Sequence, residues 1–274
     1  MAGVISDLQK IAEGREAEIF AWGDGRVLRL LRPGRSADAL RREAAAIRAV
    51  SAVTDALVPE VFDIIEYDGR AGLVMERIDG ADQITLLGSK PWLVASAGAS
   101  LGRVQAELHK APAPSEVETL KSRLRRVFTR DLVPAESSAR LLAALDALPD
   151  GDRLCHGDFH PGNILMSTRG PVVIDWANVT AGAPAADFAR TDLMLKMGEP
   201  PPGTPSLVKY MQGFGRKVIR WSYRRAYLKA RPTDDALIRR WQIVRVADRL
   251  IADGIESERE RLSAMLREAG LFVD

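Results

Sequence analysis

Residues 155–176 read CHGDFHPGNILMSTRGPVVIDW, and this stretch decides how the rest of the chain is interpreted. Side chains that can bind metal or accept protons lie here between short apolar runs. Asp158 and Asn163 are separated by four residues, and Asp175 ends the run Val172–Ile174. Mg²⁺ prefers oxygen ligands and accepts one or two carboxylates together with phosphates and water. The pattern therefore indicates phosphoryl transfer, with Asn163 and Asp175 as metal ligands and Asp158 left free as the base.

Two short motifs within this stretch carry a family resemblance. The octapeptide His156–Asn163 resembles the catalytic loop of the aminoglycoside-phosphotransferase/choline-kinase family, and Val173–Trp176 resembles its metal-binding strand end. Both motifs are related to the catalytic loop and the Asp-Phe-Gly segment of protein kinases. The resemblance extends more faintly over nearly the whole chain.

The resemblance implies a role for each matching residue. Asp158 would be the catalytic base, Asn163 and Asp175 would bind Mg²⁺, and His156 would hold the loop. Asp187 matches a family residue that opens the next helix, and a structural role is expected for it. Three other interpretations compete with this one. The motif could be a simple turn, it could be a zinc site built from His156, Asp158 and His160, or it could belong to a metal-dependent hydrolase.

The first eighty residues read mainly as strands. The apolar runs that predict strands come in pairs around Asp-Gly turns, as is typical of hairpins: Glu18–Trp22 with Arg26–Leu31, and Val61–Tyr67 with Leu73–Glu76. Between the two hairpins, Ala37–Val50 has helical spacing.

The remainder of the chain reads mostly as helices, including Trp92–Lys110 and Glu136–Leu148. A strand-rich front and a helical back predict an α+β protein with a two-lobed, protein-kinase-like fold. We place the boundary near Gly80, with a nucleotide-binding lobe over residues 1–80 and a catalytic and acceptor-binding lobe over residues 81–274.

The fold that the resemblance implies places a nucleotide between the two lobes. The candidate loop over the phosphates is Gly14–Phe20, with Gly14 as its only glycine. The strand residue that should bind the α- and β-phosphates is Arg29, where the family usually has lysine, and its expected helix partner is Glu43. Met75 and Glu76 would lie beside the base. The resemblance implies Mg²⁺ and ATP as cofactors, with GTP left open.

His109 and Cys155 are interpreted as structural residues. His109 ends a predicted helix before Pro112, which favours packing and capping over catalysis. Cys155 precedes the predicted catalytic loop, and we expect it to be a small buried side chain.

Composition restricts the class of protein. The chain has 274 residues, 46% of them hydrophobic, a net charge of +2 and one cysteine, which excludes an internal disulfide framework. Its first ten residues lack the basic and apolar blocks of a signal peptide, and no apolar run reaches the ~20 residues that span a bilayer. We therefore expect a cytoplasmic protein without a membrane partner. The oligomeric state stays open.

Charge is distributed unevenly, and this bears on the acceptor. Residues 196–249 hold thirteen Lys or Arg and four Asp or Glu. Because polycations need carboxylates, this basic region favours a small hydroxyl acceptor that is neutral or anionic. Nucleic acid is not expected, since the net charge is near zero and no long basic run occurs. The alternative is that these residues pair with acidic side chains elsewhere. We expect the interleaved Trp221, Tyr223, Tyr227 and Trp241 to add aromatic surface to this region. The basic residues in question are Arg216, Lys217, Arg220, Arg224, Arg225, Lys229, Arg231, Arg239, Arg240 and Arg245.

Two functional classes follow. The Asp158, Asn163 and Asp175 set favours an active small-molecule kinase. Arg29, in place of the usual lysine, favours a catalytically weak kinase-fold protein that binds nucleotide.

Overall fold

The front of the chain forms one antiparallel sheet. The structure is a computed structural model that describes residues 8–14, 16–23, 25–53, 57–197 and 206–272. The sheet has the strand order β1-β2-β3-β5-β4. Its strands are β1 (Lys10–Glu13), β2 (Ala17–Ala21), β3 (Arg26–Leu31), β4 (Val61–Tyr67) and β5 (Arg70–Glu76). Helix α1 (Ala37–Ser51) begins after Ser36, whose side chain accepts a hydrogen bond from the Asp38 amide.

Both predicted hairpins are present. Strands β2 and β3 pair from Ala17↔Leu31 to Ala21↔Val27, although Asp24 of the connecting turn lies outside the described residues. In the second hairpin Asp68 and Gly69 have φ values of 51° and 68°, as a two-residue type I′ turn requires. Strand β5 begins three residues earlier than expected.

Strand β1 was not predicted. All four of its residues are exposed, so the alternation of apolar and polar residues that marks a half-buried strand is missing.

Helices and short strands make up the rest of the described chain. The short strands are β6 (Ala81–Asp82), β8 (Ile164–Ser167) and β9 (Gly170–Val173) in one sheet, and β7 (Arg153–Cys155) with β10 (Thr180–Gly182) in another. The helices are α2 (Gln83–Ser89), α3 (Val94–Leu108), α4 (Leu120–Phe128), α5 (Ala135–Asp146), α6 (Pro184–Met197), α7 (Ser206–Ala230), α8 (Asp235–Asp248) and α9 (Arg259–Glu268). The predicted helix from Trp92 begins as a 3₁₀ turn at Pro91–Leu93, where proline favours the first helical position.

The architecture confirms the α+β, two-lobed, kinase-like fold. Helices α3 and α7 pack so closely that a β-carbon on Gly102 would lie 2.4 Å from the Tyr223 carbonyl oxygen. The backbone at Gly80, which follows β5, lies so close to β8 that a β-carbon there would lie 2.3 Å from the Met166 carbonyl oxygen. The division into lobes at residues 80 and 81 stays a prediction. No helix within the described ranges is long and apolar enough to cross a membrane.

Candidate active site

The loop between β7 and β8 holds Asp158, and His156 organises it. The buried His156 ring has Nε2 at 3.1 Å from the Ile174 carbonyl oxygen, and its Nδ1 accepts the Asp158 amide at 3.2 Å. The ring therefore carries its proton on Nε2 and links the loop to the end of β9. The next residue, Gly157, has φ of 80°, and a β-carbon there would lie 2.2 Å from the Asn178 carbonyl oxygen. Only glycine fits this position.

Asp187 fixes the same loop from helix α6, in agreement with the structural role expected for it. Its carboxylate accepts the amides of Gly157 at 2.8 Å and His156 at 3.2 Å. Two buried side chains on α3 and at its end, Gln105 and His109, approach it at 3.0 and 3.2 Å. Burial alone would raise the pKa of Asp187, but the hydrogen bonds, led by that from His109, outweigh it and hold the pKa below its ordinary value.

His109 and Cys155 are structural, as expected. His109 is buried, and its Nδ1 lies 2.7 Å from the Tyr227 hydroxyl of α7. Its ring therefore joins α7 to Asp187. The Cys155 thiol is buried, and burial raises its pKa well above the ordinary value, so it is kept as an unreactive thiol.

Asn163 and Asp175 lie on either side of the short β8–β9 hairpin. The side-chain amide of Asn163 donates to the Asp158 carbonyl at 2.9 Å, and this leaves its side-chain oxygen available to a ligand. The Asn163 carbonyl accepts the Ile174 amide at 3.0 Å, which fixes Asn163 next to the strand that precedes Asp175. Asp175 has φ of 62°, an uncommon conformation for a residue with a side chain, and its side chain is 47% exposed. Strained backbone of this kind recurs at functional sites.

Arg29 reaches from the sheet to Asp175. One of its terminal nitrogens lies 2.9 Å from Glu43 on α1, the partner expected from the sequence, and the other lies 3.3 Å from an Asp175 oxygen. Burial raises the pKa of Glu43 to about 7, although the Arg29 charge acts to lower it. The guanidinium thus bridges two carboxylates, which an ammonium group would do less well.

The donor set fits a magnesium ion. Asp175 offers a half-exposed carboxylate and Asn163 an amide oxygen, and both are ligand types that Mg²⁺ takes together with phosphate oxygens and water. Among the residues that the structure describes, no three His, Cys, Asp or Glu side chains cluster as metal ligands. A metal held here would therefore use Asn163 and the oxygens of a bound substrate.

His160 is a neighbour of Asp158 for which the sequence suggested only the role of a zinc ligand. Its Nε2 lies 3.7 Å from an Asp158 oxygen, and its Nδ1 accepts the Gly162 amide at 3.0 Å. The proton of the neutral ring therefore lies on Nε2, which faces Asp158. Burial lowers the pKa of His160 despite the nearby Asp158 charge. The available signal was that only one residue, Phe159, separates His160 from Asp158.

Of the remaining predicted nucleotide residues, Met75 and Glu76 lie in β5, and Gly14 lies in the turn between β1 and β2. The Gly14 amide donates to the Ala17 carbonyl at 2.8 Å, so this turn is closed on itself, and Arg15 beside it lies outside the described residues. Met75 is nearly buried in β5. The Glu76 carboxylate accepts the Glu60 amide at 3.1 Å and Arg169 at 2.8 Å. Among the described residues, no hydrogen bond joins the side chains of Met75 and Glu76 to the Asp158 loop.

A model of the phosphotransferase enzyme family matches residues 7–228 of the chain. The chain belongs to this family. This confirms the resemblance to aminoglycoside phosphotransferases and choline kinases that the Asp158 loop carries. None of the curated protein sequences compared with the chain matches it.

Three solved structures have a fold similar to that of this phosphotransferase. Aminoglycoside phosphotransferase APH(2'')-Ib, bound to ADP, is 16% identical with a TM-score of 0.61, over 97% of this chain and 94% of that one. Amicoumacin kinase hAmiN, in complex with AMP-PNP, Ca²⁺ and Ami, is 16% identical with a TM-score of 0.60, over 98% and 89%. Macrolide 2'-phosphotransferase MphH from Brachybacterium faecium is 21% identical with a TM-score of 0.52, over 94% and 91%. At these identities the likeness concerns the fold.

The basic segment of this phosphotransferase, residues 196–249, exposes fewer aromatic side chains than its sequence suggested. Tyr223, Tyr227 and Trp241 are buried in the helical core, so the expectation that they add aromatic surface was wrong, and only Trp221 of that set is exposed.

Several arginines of the segment are likewise structural. Arg220 and Arg224 both pair with the buried Asp192 of α6, at 2.7 and 3.0 Å. Arg245 is buried beside Asp248, and burial lowers its pKa to about 10. Pairing with acidic residues, the alternative left open by the sequence, therefore holds for these three arginines.

Proposed function

We propose that this phosphotransferase transfers the γ-phosphoryl group of ATP, or of GTP, to a hydroxyl group of a small molecule in a Mg²⁺-dependent reaction. One observation carries the proposal. The Asn163 side chain donates to the Asp158 carbonyl, the Asn163 carbonyl accepts the amide of Ile174 next to Asp175, and Arg29 reaches Asp175 from the N-terminal sheet. Similar structures were determined with ADP, with AMP-PNP and with GDP, which leaves both donors open.

Each residue then has a distinct task. Asp158 accepts the proton of the attacking hydroxyl, and His156 and Asp187 keep its loop in place. Asn163 and Asp175 hold Mg²⁺, which neutralises charge on the phosphates when it is bound. Arg29, kept in place by Glu43, contacts phosphate oxygens.

The acceptor that we propose is neutral or anionic. The basic excess of residues 196–249 supports it, because the Asp192 cluster neutralises only part of that excess: two arginines share one carboxylate. A polycationic acceptor would need an excess of carboxylates, whereas residues 196–249 hold four Asp or Glu against thirteen Lys or Arg. The cytoplasm as compartment and the absence of a nucleic-acid partner stay predictions from composition.

A second function rests on Arg29. Its guanidinium engages Glu43 and Asp175 together, and a planar fork in place of a lysine could hold the metal-binding carboxylate too tightly for efficient turnover. The chain would then be a kinase-fold protein that binds nucleotide and turns it over slowly.

Thermal unfolding of the purified protein tests the proposal first. The protein is heated with Mg²⁺ plus ATP, GTP or ADP, and each nucleotide is also measured with EDTA. Binding to the native state adds ~2.7 kcal/mol of stability at a hundredfold excess over Kd. We expect a Mg²⁺-dependent rise in Tm that selects the donor, followed by Mg²⁺-dependent turnover with hydroxyl acceptors. No rise with any nucleotide would contradict both functions, and a rise without turnover would favour the second.

A further inference from the structure

Arg190 is a buried arginine on α6 that contacts the loop of Asp158 directly. Its Nε donates to the carbonyl oxygen of Gly157, and the Asp158 amide of the same peptide unit donates to His156. The peptide unit that joins Gly157 to Asp158 is therefore held at both of its polar ends. Asp187, three residues before Arg190 and on the same face of α6, holds the preceding peptide unit through the Gly157 amide.

The rest of the Arg190 guanidinium faces the C-terminal part of the chain. One terminal nitrogen lies 3.1 Å from Asp248, at the end of α8, and the other lies 3.1 Å from both carboxylate oxygens of Asp253. Asp253 is the last residue of a π-helical turn, Arg249–Asp253. Such turns are rare and frequently occur at functional sites.

The π-helical turn is itself anchored by charge. Arg249 contacts Asp253 at 3.2 Å and Glu258 at 2.7 Å, and both Arg249 and Glu258 are buried. Buried charges are tolerated only when they are paired and hydrogen-bonded, so this cluster constrains where the Arg190 guanidinium can lie. Asp248, Asp253 and Glu258 lie beyond residue 228, where the match to the family model ends.

We propose that Arg190 is a positioning residue, which holds the peptide unit before Asp158 and couples the orientation of this carboxylate to the C-terminal segment of residues 248–258. The catalytic part of the inference rests on the proposed function. Arg190 touches no reacting group itself. It acts because a base must lie within hydrogen-bond reach of the proton it takes, and a shift of about 1 Å costs ~100-fold in rate.

Three variants test this inference. Arg190→Lys keeps the charge that Asp248 and Asp253 need, but a single ammonium group cannot also hold the Gly157 carbonyl. Asp253→Asn weakens the ion pair with the same arginine by a change at a partly exposed side chain. This variant carries the test should Arg190→Lys not fold. The matched control is Arg70→Lys, because Arg70 also bridges a backbone carbonyl and a carboxylate, those of Leu31 and Glu18, away from the loop.

The first readout is hydrogen exchange of peptides that cover residues 153–165, which needs no activity. Arg190→Lys and Asp253→Asn should speed exchange of these amides about tenfold, while Arg70→Lys should leave them unchanged. The second readout is Mg²⁺-dependent nucleotide hydrolysis with water as the acceptor. The two test variants should lower kcat by roughly 10- to 100-fold and keep the nucleotide KM within about twofold.

The outcomes separate this inference from the proposed function. Faster loop exchange with no turnover in the natural protein would contradict the proposed function and support the positioning of the loop by Arg190. Unchanged loop exchange in folded variants would overturn the inference. Faster exchange with unchanged kcat, or with a KM that rises as much as kcat falls, would also overturn it, since the loop would then have no specific effect on turnover.

Discussion

The Arg29 guanidinium lies 3.3 Å from an Asp175 oxygen, a contact between residues 146 positions apart that joins the sheet to the helical lobe. Because Asp175, the proposed metal ligand, is within reach of Arg29, the proposed phosphate-binding side chain, both can contact one bound nucleotide. Asp175→Asn should therefore raise the Kd for Mg²⁺-nucleotide at least ~10-fold, through loss of a charged ligand. Calorimetric titration with and without EDTA measures this.

The control for the Asp175 substitution is Asp146→Asn, which removes an exposed carboxylate that pairs with Arg125 on the surface. Its Mg²⁺-nucleotide Kd should equal that of the natural protein. If Asp175→Asn also bound Mg²⁺-nucleotide with the Kd of the natural protein, Asp175 would be excluded as a metal ligand.

Asp158 should matter for turnover and little for binding. Asp158→Asn keeps the shape of the side chain and the backbone bond from Asn163, but it cannot accept a proton. We expect kcat to fall by roughly 100- to 10,000-fold, the range for a general base, with nucleotide Kd within about threefold. Single-turnover phosphate release and titration of the same sample give both values. Normal turnover in the variant would exclude Asp158 as the base.

The loop that carries Asp158 could be proposed as a candidate site because its motif is local in sequence. Asp158 and Asn163 lie within one octapeptide, and the turns at Asp68-Gly69 and after Ala21 follow from short-range backbone preferences. The link from Arg190 to the loop was not predictable in this way. Its partners Asp248 and Asp253 are 58 and 63 residues away, and no periodic pattern encodes which buried charges meet. The one available signal was that Arg190 follows Asp187 by three residues on a helix.

The basic segment illustrates the opposite error. Tyr223 and Tyr227 are four residues apart on α7, a spacing that places both on one helix face and that indicates a buried stripe. The composition of the segment alone, without this spacing, suggested that the two tyrosines form an aromatic surface. Asp192, which binds Arg220 and Arg224, lies on another helix, so the pairing of these arginines required the tertiary structure.

Arg169 and Glu76 should stabilise the junction between the sheet and the β8–β9 hairpin. Their side chains are 37% and 29% exposed and 2.8 Å apart, and Arg169 also donates to the Val58 carbonyl at 3.0 Å. A double-mutant cycle with Arg169→Ala and Glu76→Ala should give a coupling energy of about 0.5–1 kcal/mol in urea unfolding. The same cycle on the more exposed pair Lys110 and Glu107 should give about 0.3 kcal/mol. Equal couplings would mean that the junction gains nothing from its partial burial.

Asp187 should make the protein acid-sensitive. Its folded pKa lies below the unfolded value of 3.8, so the stability it contributes is fully present above pH 3.8 and is lost as pH falls through the folded pKa. The two backbone donors bind different oxygens of Asp187, so Asp187→Asn turns an NH₂ group towards one of them and should cost about 3 kcal/mol at pH 7. The difference in free energy of unfolding between the two proteins should shrink below pH 3.8, as denaturant titrations from pH 7 to 3 can measure. For the exposed Asp150, substitution by Asn should give a small difference, and a pH-independent difference for Asp187→Asn would contradict its lowered pKa.

The close approach of α3 and α7 should reverse the usual effect of a glycine substitution. In a helix, Gly→Ala ordinarily stabilises by about 0.5–1 kcal/mol, because alanine loses less backbone entropy on folding. A β-carbon on Gly102 would lie 2.4 Å from the Tyr223 carbonyl oxygen and 2.8 Å from the Tyr227 nitrogen, both backbone atoms that cannot move alone. Gly102→Ala should therefore destabilise by about 1–3 kcal/mol through separation of the two helices.

Gly215 on α7 provides the control, since a β-carbon there meets no described atom within 4 Å, and Gly215→Ala should stabilise. Urea unfolding of both variants gives the two signs. The Tyr223 hydroxyl donates to Gln105, and the Tyr227 hydroxyl contacts His109, so both tyrosines support the residues beside Asp187. Stabilisation by Gly102→Ala would mean that the two helices lie farther apart than described and that both tyrosines can shift without losing these contacts.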